Sequence, residues 1–363
     1  MVGATGIEPV TPTVSRWCSP AELRAHSRVG DGVLLASARL RNPPRCATAL
    51  RAKCCDKPTR CAFYRVMITQ CSALFDDPVQ ITEPIGPCGP LVFASPHSGS
   101  CYPEEFLQAA RLDALGLRRS EDCFVDELFA AAPAHGAPLL AARFPRAWCD
   151  ANREAWELDP TMFEEVLPAY VNVASARVGA GLGTIARVVS SGEPIYRRKL
   201  RFAEAEARVL GCWQPYHRAL AALVARARTD FGACLLIDCH SMPTIAAGPG
   251  GAVDVVLGDA HGVACAPAVV ALIERLLRAE GFRVRRNDPY AGGYTTRQYG
   301  APRRGVHVVQ IELARGLYMD EQLIVKASGF GRLAASLGRL VAAVAKEAPA
   351  LIGAGGAFAV AAQ

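Results

Sequence analysis

The 363-residue sequence lacks the features that would place it in a membrane, secreted or redox class. No uncharged run reaches the roughly 18 residues that a membrane-spanning helix needs, and no charged segment followed by an apolar one opens the chain. The 14 cysteines include no Cys-x-x-Cys pair, which argues against a zinc ribbon or a thioredoxin-like motif. The sequence therefore predicts a cytoplasmic protein with reduced thiols and no membrane partner.

Two further motifs are missing. The glycines at 179–183 do not follow a strand in the order of a dinucleotide site, and the later acidic residue is absent, so a loop is favoured there. No Gly-x-Ser-x-Gly elbow supports a serine hydrolase. Cys149 and Cys239 are possible nucleophiles, but buried packing is the usual role of a free cysteine.

Net positive charge is confined to the start of the sequence. Residues 1–70 carry 11 Lys and Arg against 4 Asp and Glu, whereas the rest carries 29 basic and 30 acidic residues. Residues 1–66 have six prolines and no sustained period, so we interpret them as disordered or as a misassigned translation that precedes a true start at Met67. A basic arm for nucleic acid is the alternative, but its arginines lack interleaved aromatics. We expect no nucleic-acid partner.

The composition, with 51% hydrophobic residues, excludes a wholly disordered chain. From residue 91, short apolar segments alternate with amphipathic ones, which is typical of an α/β domain. The predicted strands are 91–94, 139–143, 234–238, 253–257, 282–285 and 306–311. The predicted helices are one capped by Ser120 and the segments 203–228, 267–280 and 321–346. The simplest organisation is a single folded domain over 67–347 and a flexible tail over 348–363.

Polar side chains follow three of the predicted strands. His97 follows the first, His240 follows 234–238, and Glu312 follows the last. Ligands of open α/β sheets bind beyond the carboxyl ends of the strands, so we expect these groups to converge. Imidazoles and a carboxylate are the usual ligands of a catalytic zinc. Purely structural histidines are the alternative.

Two more groups are candidates for this edge. Asp122 and Asp126 share a face of the helix predicted after Ser120, where each is either a metal ligand or a capping charge. The segment 143–153 is rich in Arg and Asn, which hold carboxylates by forked and amide hydrogen bonds. A surface arginine cluster is the alternative interpretation of that segment.

Several motifs, taken in order over about residues 85–345, resemble the N-formylglutamate amidohydrolase family. They are SPHSG (95–99), YP (102–103), 122–128, DANRE (150–154), GEPIY (192–196), DCHSMP (238–243), NDPYAGGYTT (287–296) and QIELAR (310–315). The family is similar to zinc carboxypeptidases and aspartoacylase. The resemblance implies a single zinc-carboxypeptidase (phosphorylase/hydrolase)-like α/β domain, with a mixed, mostly parallel central sheet flanked by helices.

The resemblance also implies a metal centre. His97 and His240 match the two histidine ligands, and zinc is the expected cofactor, with another divalent metal as the alternative. Ser100 stands where the carboxypeptidases have a glutamate ligand, so another carboxylate must complete the site. We expect Asp122 in that role. The remaining candidates are Asp126, Glu104 and Glu105.

The other implied roles concern catalysis and substrate. Glu312 matches the general base, and Arg146 or Arg143 would share the oxyanion charge. The resemblance to the carboxypeptidase motif Asp-x-Asn-Arg implies that Asn152 and Arg153 grip a substrate carboxylate. The further substrate-binding candidates are Arg143, Tyr290 and Tyr294.

The implied reaction is hydrolysis of N-formyl-L-glutamate to formate and the amino acid, a step of histidine degradation. One alternative is hydrolysis of another N-acyl amino acid or a short peptide, because the motifs specify the reacting centre better than the side-chain pocket. Arg187, Arg197 and Arg297 are candidates for recognising a γ-carboxylate. A non-catalytic ligand-binding module is the alternative of another class. The expected partner is a small molecule, and the sequence predicts no oligomeric state.

Overall fold

The computed structural model describes residues 76–248 and 252–357, with side chains described up to residue 353. These residues belong to one compact unit, Cys55–Gln363. The predicted extension 1–66 and the start at Met67 lie outside the described residues, as do residues 358–363 of the predicted tail.

A seven-stranded sheet forms the centre of this unit. Its strands are β1 (Val79–Thr82), β2 (Leu91–Ser95), β3 (Leu139–Ala142), β4 (Cys234–Met242), β5 (Val255–Gly258), β6 (Val284–Arg286) and β7 (Val306–Ala314). Their order in the sheet is β1-β3-β2-β4-β7-β5-β6. Four pairings are parallel, and the β1–β3 and β5–β7 pairings are antiparallel. The predicted mixed, mostly parallel sheet is confirmed.

Helices and a small hairpin surround the sheet. The helices are α1 (Glu104–Ala109), α2 (Ala114–Arg118), α3 (Val125–Leu128), α4 (Ala176–Gly179), α5 (Phe202–Arg208), α6 (Gln214–Phe231), α7 (Pro267–Ala279), α8 (Tyr294–Tyr299) and α9 (Phe330–Ala357). A π-helical turn, Val209–Trp213, joins α5 to α6. Strands β8 (Met319–Asp320) and β9 (Val325–Lys326) form the hairpin. Among the described helices, none is long and apolar enough to cross a membrane.

The central strands are apolar on both faces, as strands covered by helices on both sides must be. Val92 and Leu236 point into a core shared with α6, whereas Phe93 and Ile237 point into a core shared with α7 and α9. Strands β4 and β7 are buried along all nine of their residues. Both strands continue beyond the ends predicted for them, and the added residues place His240 directly opposite Glu312.

Three predicted boundaries are wrong. Ser120 does not cap α3, which follows Phe124 in a left-handed conformation with φ 65°. The last helix begins at Phe330 rather than at 321, because the β8–β9 hairpin occupies the residues before it. The predicted tail is helical as far as Ala357, and Ala348 and Ile352 bury their side chains in the core beside α7.

Candidate active site

His97, Asp122 and His240 meet at the carboxyl ends of β2 and β4. Oδ2 of Asp122 lies 3.3 Å from Nδ1 of His97 and 3.1 Å from Nδ1 of His240. No more than 2% of any of the three residues is exposed, and their potential ligand atoms all lie within 4.8 Å of one another. The convergence that the strand ends predict is therefore present in the structure.

The spacing of these atoms fits a divalent metal ion. Tetrahedral zinc holds N and O ligands at about 2.0–2.1 Å, which puts neighbouring ligand atoms about 3.3 Å apart. The distances of 3.3 Å and 3.1 Å from Asp122 Oδ2 to the two imidazoles match that separation. Two imidazoles and one carboxylate are also a donor set that zinc accepts while keeping one position open.

Carboxylates lie beside the opposite nitrogens of both imidazoles. Nε2 of His97 lies 2.7 Å from Oδ1 of Asp150. Nε2 of His240 lies 3.0 Å from Oδ2 of Asp238, without the alignment of a hydrogen bond, and 3.2 Å from Nδ2 of Asn152. At His97, the carboxylate of Asp150 favours a proton on Nε2 and leaves the Nδ1 lone pair for a metal.

Asp122 is held on both sides. Its Oδ1 accepts hydrogen bonds from Nη2 of Arg315 at 3.0 Å and from the Ser241 hydroxyl at 3.4 Å. Burial alone would raise the pKa of Asp122, but its hydrogen bonds to His240 and His97 and the charge of Arg315 bring that pKa well below its usual range. Asp122 is therefore an anion at neutral pH, as a metal ligand must be.

The alternative carboxylates lie elsewhere. Within the described ranges, the group with metal-binding spacing consists of His97, Asp122 and His240. Asp122 precedes α3 and donates its main-chain N–H to the carbonyl of His97, so it does not share a helical face with Asp126. Glu104 and Glu105 are exposed in the first turn of α1.

Glu312 stands next to His240 on the neighbouring strand. Its Oε1 accepts a hydrogen bond of 2.8 Å from Nε2 of Gln310, whose own Oε1 accepts from the main-chain N–H of Gly293 at 2.7 Å. Burial raises the pKa of Glu312 to about 7, with the charge of His240 opposing the rise and that of Asp122 adding to it. A carboxylate with a pKa near neutrality suits a general base.

Arg146 and Arg143 have different surroundings. Nε of Arg146 donates to Oδ2 of Asp150 at 2.9 Å, and its charge acts on Asp122 and Glu312. Among the described residues, Nη1 and Nη2 of Arg146 have no hydrogen-bond partner, so both can donate to a ligand. Arg143 instead pairs with Asp77, two residues before the edge strand β1.

Asn152 and Arg153 are engaged within the protein. Oδ1 of Asn152 accepts from the N–H of Thr295 at 2.8 Å. Nε and Nη1 of Arg153 donate to the carbonyls of Leu182 and Asn152 at 2.9 Å and 2.7 Å. Both side chains are buried, and in this arrangement they order the surrounding loops. Their binding of a substrate carboxylate stays a prediction.

Tyr290 and Tyr294 occupy different environments. Tyr290 is half-buried, and burial together with the charge of Glu312 raises its pKa, whereas the charge of Arg146 lowers it. The charges of Glu312 and Arg146 therefore act on its hydroxyl. The ring of Tyr294 packs against Trp213 at 5.9 Å and against His217 at 5.4 Å.

Other candidates from the sequence are engaged elsewhere. Nε of Arg187 donates to Asp159, Nε of Arg197 donates to the carbonyl of Ala110, and Nη1 of Arg297 donates to the carbonyl of Gly292. Cys149 and Cys239 are fully buried, and burial raises the pKa of each thiol well above its usual value. A reactive thiolate is therefore disfavoured at both positions.

The sequence patterns assign no role to Asp238, Gln310 or Arg315, and Asp150 appears in them only as part of the motif Asp-x-Asn-Arg. One signal was available for Gln310: it stands two residues before Glu312 on a strand and so shares its face. The same signal was available for Asp238, which stands two residues before His240 on β4. Asp150 and Arg315 reach His97 and Asp122 from far away in the chain, and pattern alone does not reveal those contacts.

The sheet and the buried polar centre at its carboxyl edge define an α/β protein with a group of side chains that could hold a metal ion. The sequence profile of the N-formylglutamate amidohydrolase family matches residues 89–319. The chain belongs to the N-formylglutamate amidohydrolase family, and it is accordingly a hydrolase that acts on an amide bond.

Named relatives agree with this assignment. The chain is 32% identical over 238 residues to the N-formylglutamate deformylase of Pseudomonas aeruginosa, covering 64% of this chain and 83% of that protein. It is 30% identical over 239 residues to the N-formylglutamate deformylase of Pseudomonas putida, covering 64% and 82%. The matched part thus spans most of both relatives.

Two solved structures share the fold. The N-formylglutamate amidohydrolase from Ralstonia eutropha JMP134 superposes with a TM-score of 0.71 at 39% identity, covering 74% of this chain and 97% of that one. A protein from Agrobacterium tumefaciens superposes with a TM-score of 0.50 at 20% identity, covering 75% and 98%. The second likeness concerns the fold alone.

Proposed function

We propose that this enzyme is a divalent-metal-dependent deformylase that hydrolyses N-formyl-L-glutamate to formate and L-glutamate. The observation that carries the proposal is the buried His97–Asp122–His240 group beside Glu312 on the adjacent strand. The names of its Pseudomonas relatives support the formyl substrate. The proposed setting is cytoplasmic histidine degradation, with a small molecule as the partner.

His97, Asp122 and His240 are the residues that would hold the metal, which we propose to be zinc. When bound, zinc lowers the pKa of a coordinated water to about 7 and polarises a carbonyl. The negative charge of Asp122 and the carboxylate of Asp150 beside Nε2 of His97 support cation binding at this point.

Glu312 is the proposed general base. Its carboxylate takes a proton from the water that attacks the formyl carbon, and it gives a proton to the amine nitrogen as the C–N bond breaks. One water is consumed, and formate and an amino acid leave. The hydrogen bond from Gln310 to Oε1 fixes the plane of the carboxylate and leaves Oε2 for proton transfer.

Arg146 is proposed to stabilise the negative charge that develops on the formyl oxygen, because its Nη atoms are available and its Nε is anchored on Asp150. Asn152 and Arg153 are proposed to bind the α-carboxylate of the substrate. They release their present hydrogen bonds within the protein when the substrate binds. Arg143 is a second candidate for that carboxylate. Tyr290 is proposed to close over the substrate ahead of Tyr294, since the charges of Glu312 and Arg146 act on it.

The substrate is tested with the metal-loaded full chain. N-formyl-L-glutamate, N-formyl-L-leucine, N-acetyl-L-glutamate and a glutamyl dipeptide are compared at equal concentration, and free amine is measured for each. We expect N-formyl-L-glutamate to have the highest kcat/KM. Preference for the acetyl compound or the dipeptide would favour the alternative of a different amide hydrolase, and turnover of none would favour a ligand-binding module.

A further inference from the structure

Arg315 connects three separate parts of the site. It follows β7, and only 7% of its side chain is exposed. Its Nη2 donates to Oδ1 of Asp122 at 3.0 Å, its Nε donates to the Ser241 hydroxyl at 3.3 Å, and its Nη1 donates to the carbonyl of Arg119 at 3.1 Å. All three nitrogens of the guanidinium are therefore used.

The two oxygens of the Asp122 carboxylate have different partners. Oδ1 faces Arg315 and Ser241, whereas Oδ2 faces Nδ1 of both His97 and His240. An unrestrained carboxylate rotates about its Cβ–Cγ bond, and it can offer a cation either oxygen or both. With Oδ1 occupied on the protein side, only Oδ2 points toward the two imidazoles.

We propose that Arg315 is a positioning residue that keeps Asp122 a one-oxygen metal ligand. This inference rests on the metal site described under Proposed function. All three guanidinium nitrogens of Arg315 donate to protein groups, so it acts through Asp122 rather than on the substrate.

Arginine suits this role better than lysine. The guanidinium is planar and presents its donors in fixed directions, which lets one side chain bind Asp122, Ser241 and a main-chain carbonyl at once. Lysine would retain the charge beside Asp122 but not this arrangement of donors. The role thus depends on the geometry of the guanidinium as well as on its charge.

The test compares Arg315→Gln and Arg315→Lys with the wild-type full chain. Arg283→Gln is the matched control, because Arg283 makes two side-chain hydrogen bonds to Asp254, at 2.9 Å and 2.8 Å, outside the site. Zinc affinity is measured by competition with a chromophoric chelator. The visible absorption of the cobalt-substituted proteins reports coordination geometry, and thermal unfolding reports the fold.

We expect Arg315→Gln to weaken zinc binding by about 10- to 100-fold, as the loss of an outer-shell partner typically does. Its cobalt absorption should weaken, because a two-oxygen aspartate raises the coordination number. Arg315→Lys should bind zinc with intermediate affinity, and Arg283→Gln should match the wild type in both measurements.

Unchanged zinc affinity and an unchanged cobalt spectrum in Arg315→Gln would overturn this inference alone. If that variant does not fold, the same result in Arg315→Lys would overturn it. Failure of the wild-type chain to bind any divalent metal would overturn the proposed function, and this inference with it.

Discussion

Oδ1 of Asp150 lies 2.7 Å from Nε2 of His97, although 53 positions separate the two residues in the sequence. The same carboxylate accepts hydrogen bonds from Nε of Arg146 and from the main-chain N–H of Asn152. Burial alone would raise the pKa of Asp150, but the charges of Arg153 and Arg146 bring it well below its usual range. Asp150 is thus a fixed anion that orients one imidazole of the site.

Asp150→Asn should weaken metal binding, because an amide at this position does not favour the Nε2–H form of His97 as a carboxylate does. We expect the metal affinity to fall by about 10- to 100-fold. Chelator competition measures it, with Asp159→Asn as a control, since Asp159 also forms an ion pair with an arginine, the partly exposed Arg187. Equal metal affinities in the two variants would show that Asp150 does not support the metal site.

Asp122→Asn should abolish stoichiometric metal binding, whereas Asp126→Asn should leave both metal content and turnover close to wild type. The two residues are four apart, but only Asp122 has an oxygen within reach of both imidazoles. Metal content is measured by elemental analysis of the purified full chains. Metal retained in Asp122→Asn and lost in Asp126→Asn would reverse the assignment.

The sequence was sufficient for the elements whose signal is local. The strand before His97 is an unbroken apolar run, and the strand that carries Glu312 is rich in valine and isoleucine. Because the chemistry-bearing residues follow these apolar segments, both the sheet and the converging residues could be predicted. Asp122 could be favoured over Asp126 only by resemblance, because a helical pattern suggested that both share a face. The left-handed Phe124 interrupts that pattern, and no sequence period reports such a turn.

Long-range pairings could not be predicted. The contact of Arg315 with Asp122 joins residues 193 positions apart, and the contact of Asn152 with His240 joins residues 88 apart. These pairings depend on which strands become neighbours in the sheet, which is a property of the whole fold. The extension of the last helix through 348–357 was missed for a similar reason, since burial of Ala348 and Ile352 outweighs the low helix propensity of nearby glycines.

His217 should make stability depend on pH. Its Nε2 donates to the carbonyl of Ala151 at 2.8 Å, and burial lowers its pKa to about 4. The unfolded chain, with a pKa near 6.5, binds this proton first as pH falls. The stabilisation is therefore complete above about pH 6.5 and is lost progressively down to about pH 4. The free energy of unfolding that is lost by pH 5 is about 2 kcal/mol.

The check is urea unfolding of the wild type and of His217→Gln at pH 7 and pH 5. The variant should lose less free energy of unfolding between the two pH values than the wild type does. An identical loss in both proteins would show that His217 does not carry this dependence, whatever the absolute stability of the variant.

Gly293→Ala should disturb the site without removing a functional group. A Cβ at this position would lie 2.2 Å from Nδ2 and 2.4 Å from Oδ1 of Asn152, so Asn152 must move away from His240. We expect destabilisation of about 1–3 kcal/mol, as for overpacked sites, together with a lower kcat/KM. Gly179→Ala is the control, because a Cβ there meets nothing within 4 Å. Thermal unfolding and formate release measure both, and equal behaviour of the two variants would contradict the crowding around Asn152.

Formate release from N-formyl-L-glutamate by the metal-loaded full chain and by Glu312→Gln tests metal-dependent deformylation most directly. Bound metal is measured in the same samples, and Glu127→Gln serves as a surface control. We predict rapid formate release by the wild type, its loss on chelation and its return with zinc. Glu312→Gln should retain the metal while its kcat falls by about 100- to 10,000-fold. No formate from the metal-loaded wild type, or near-normal turnover by Glu312→Gln, would contradict the account.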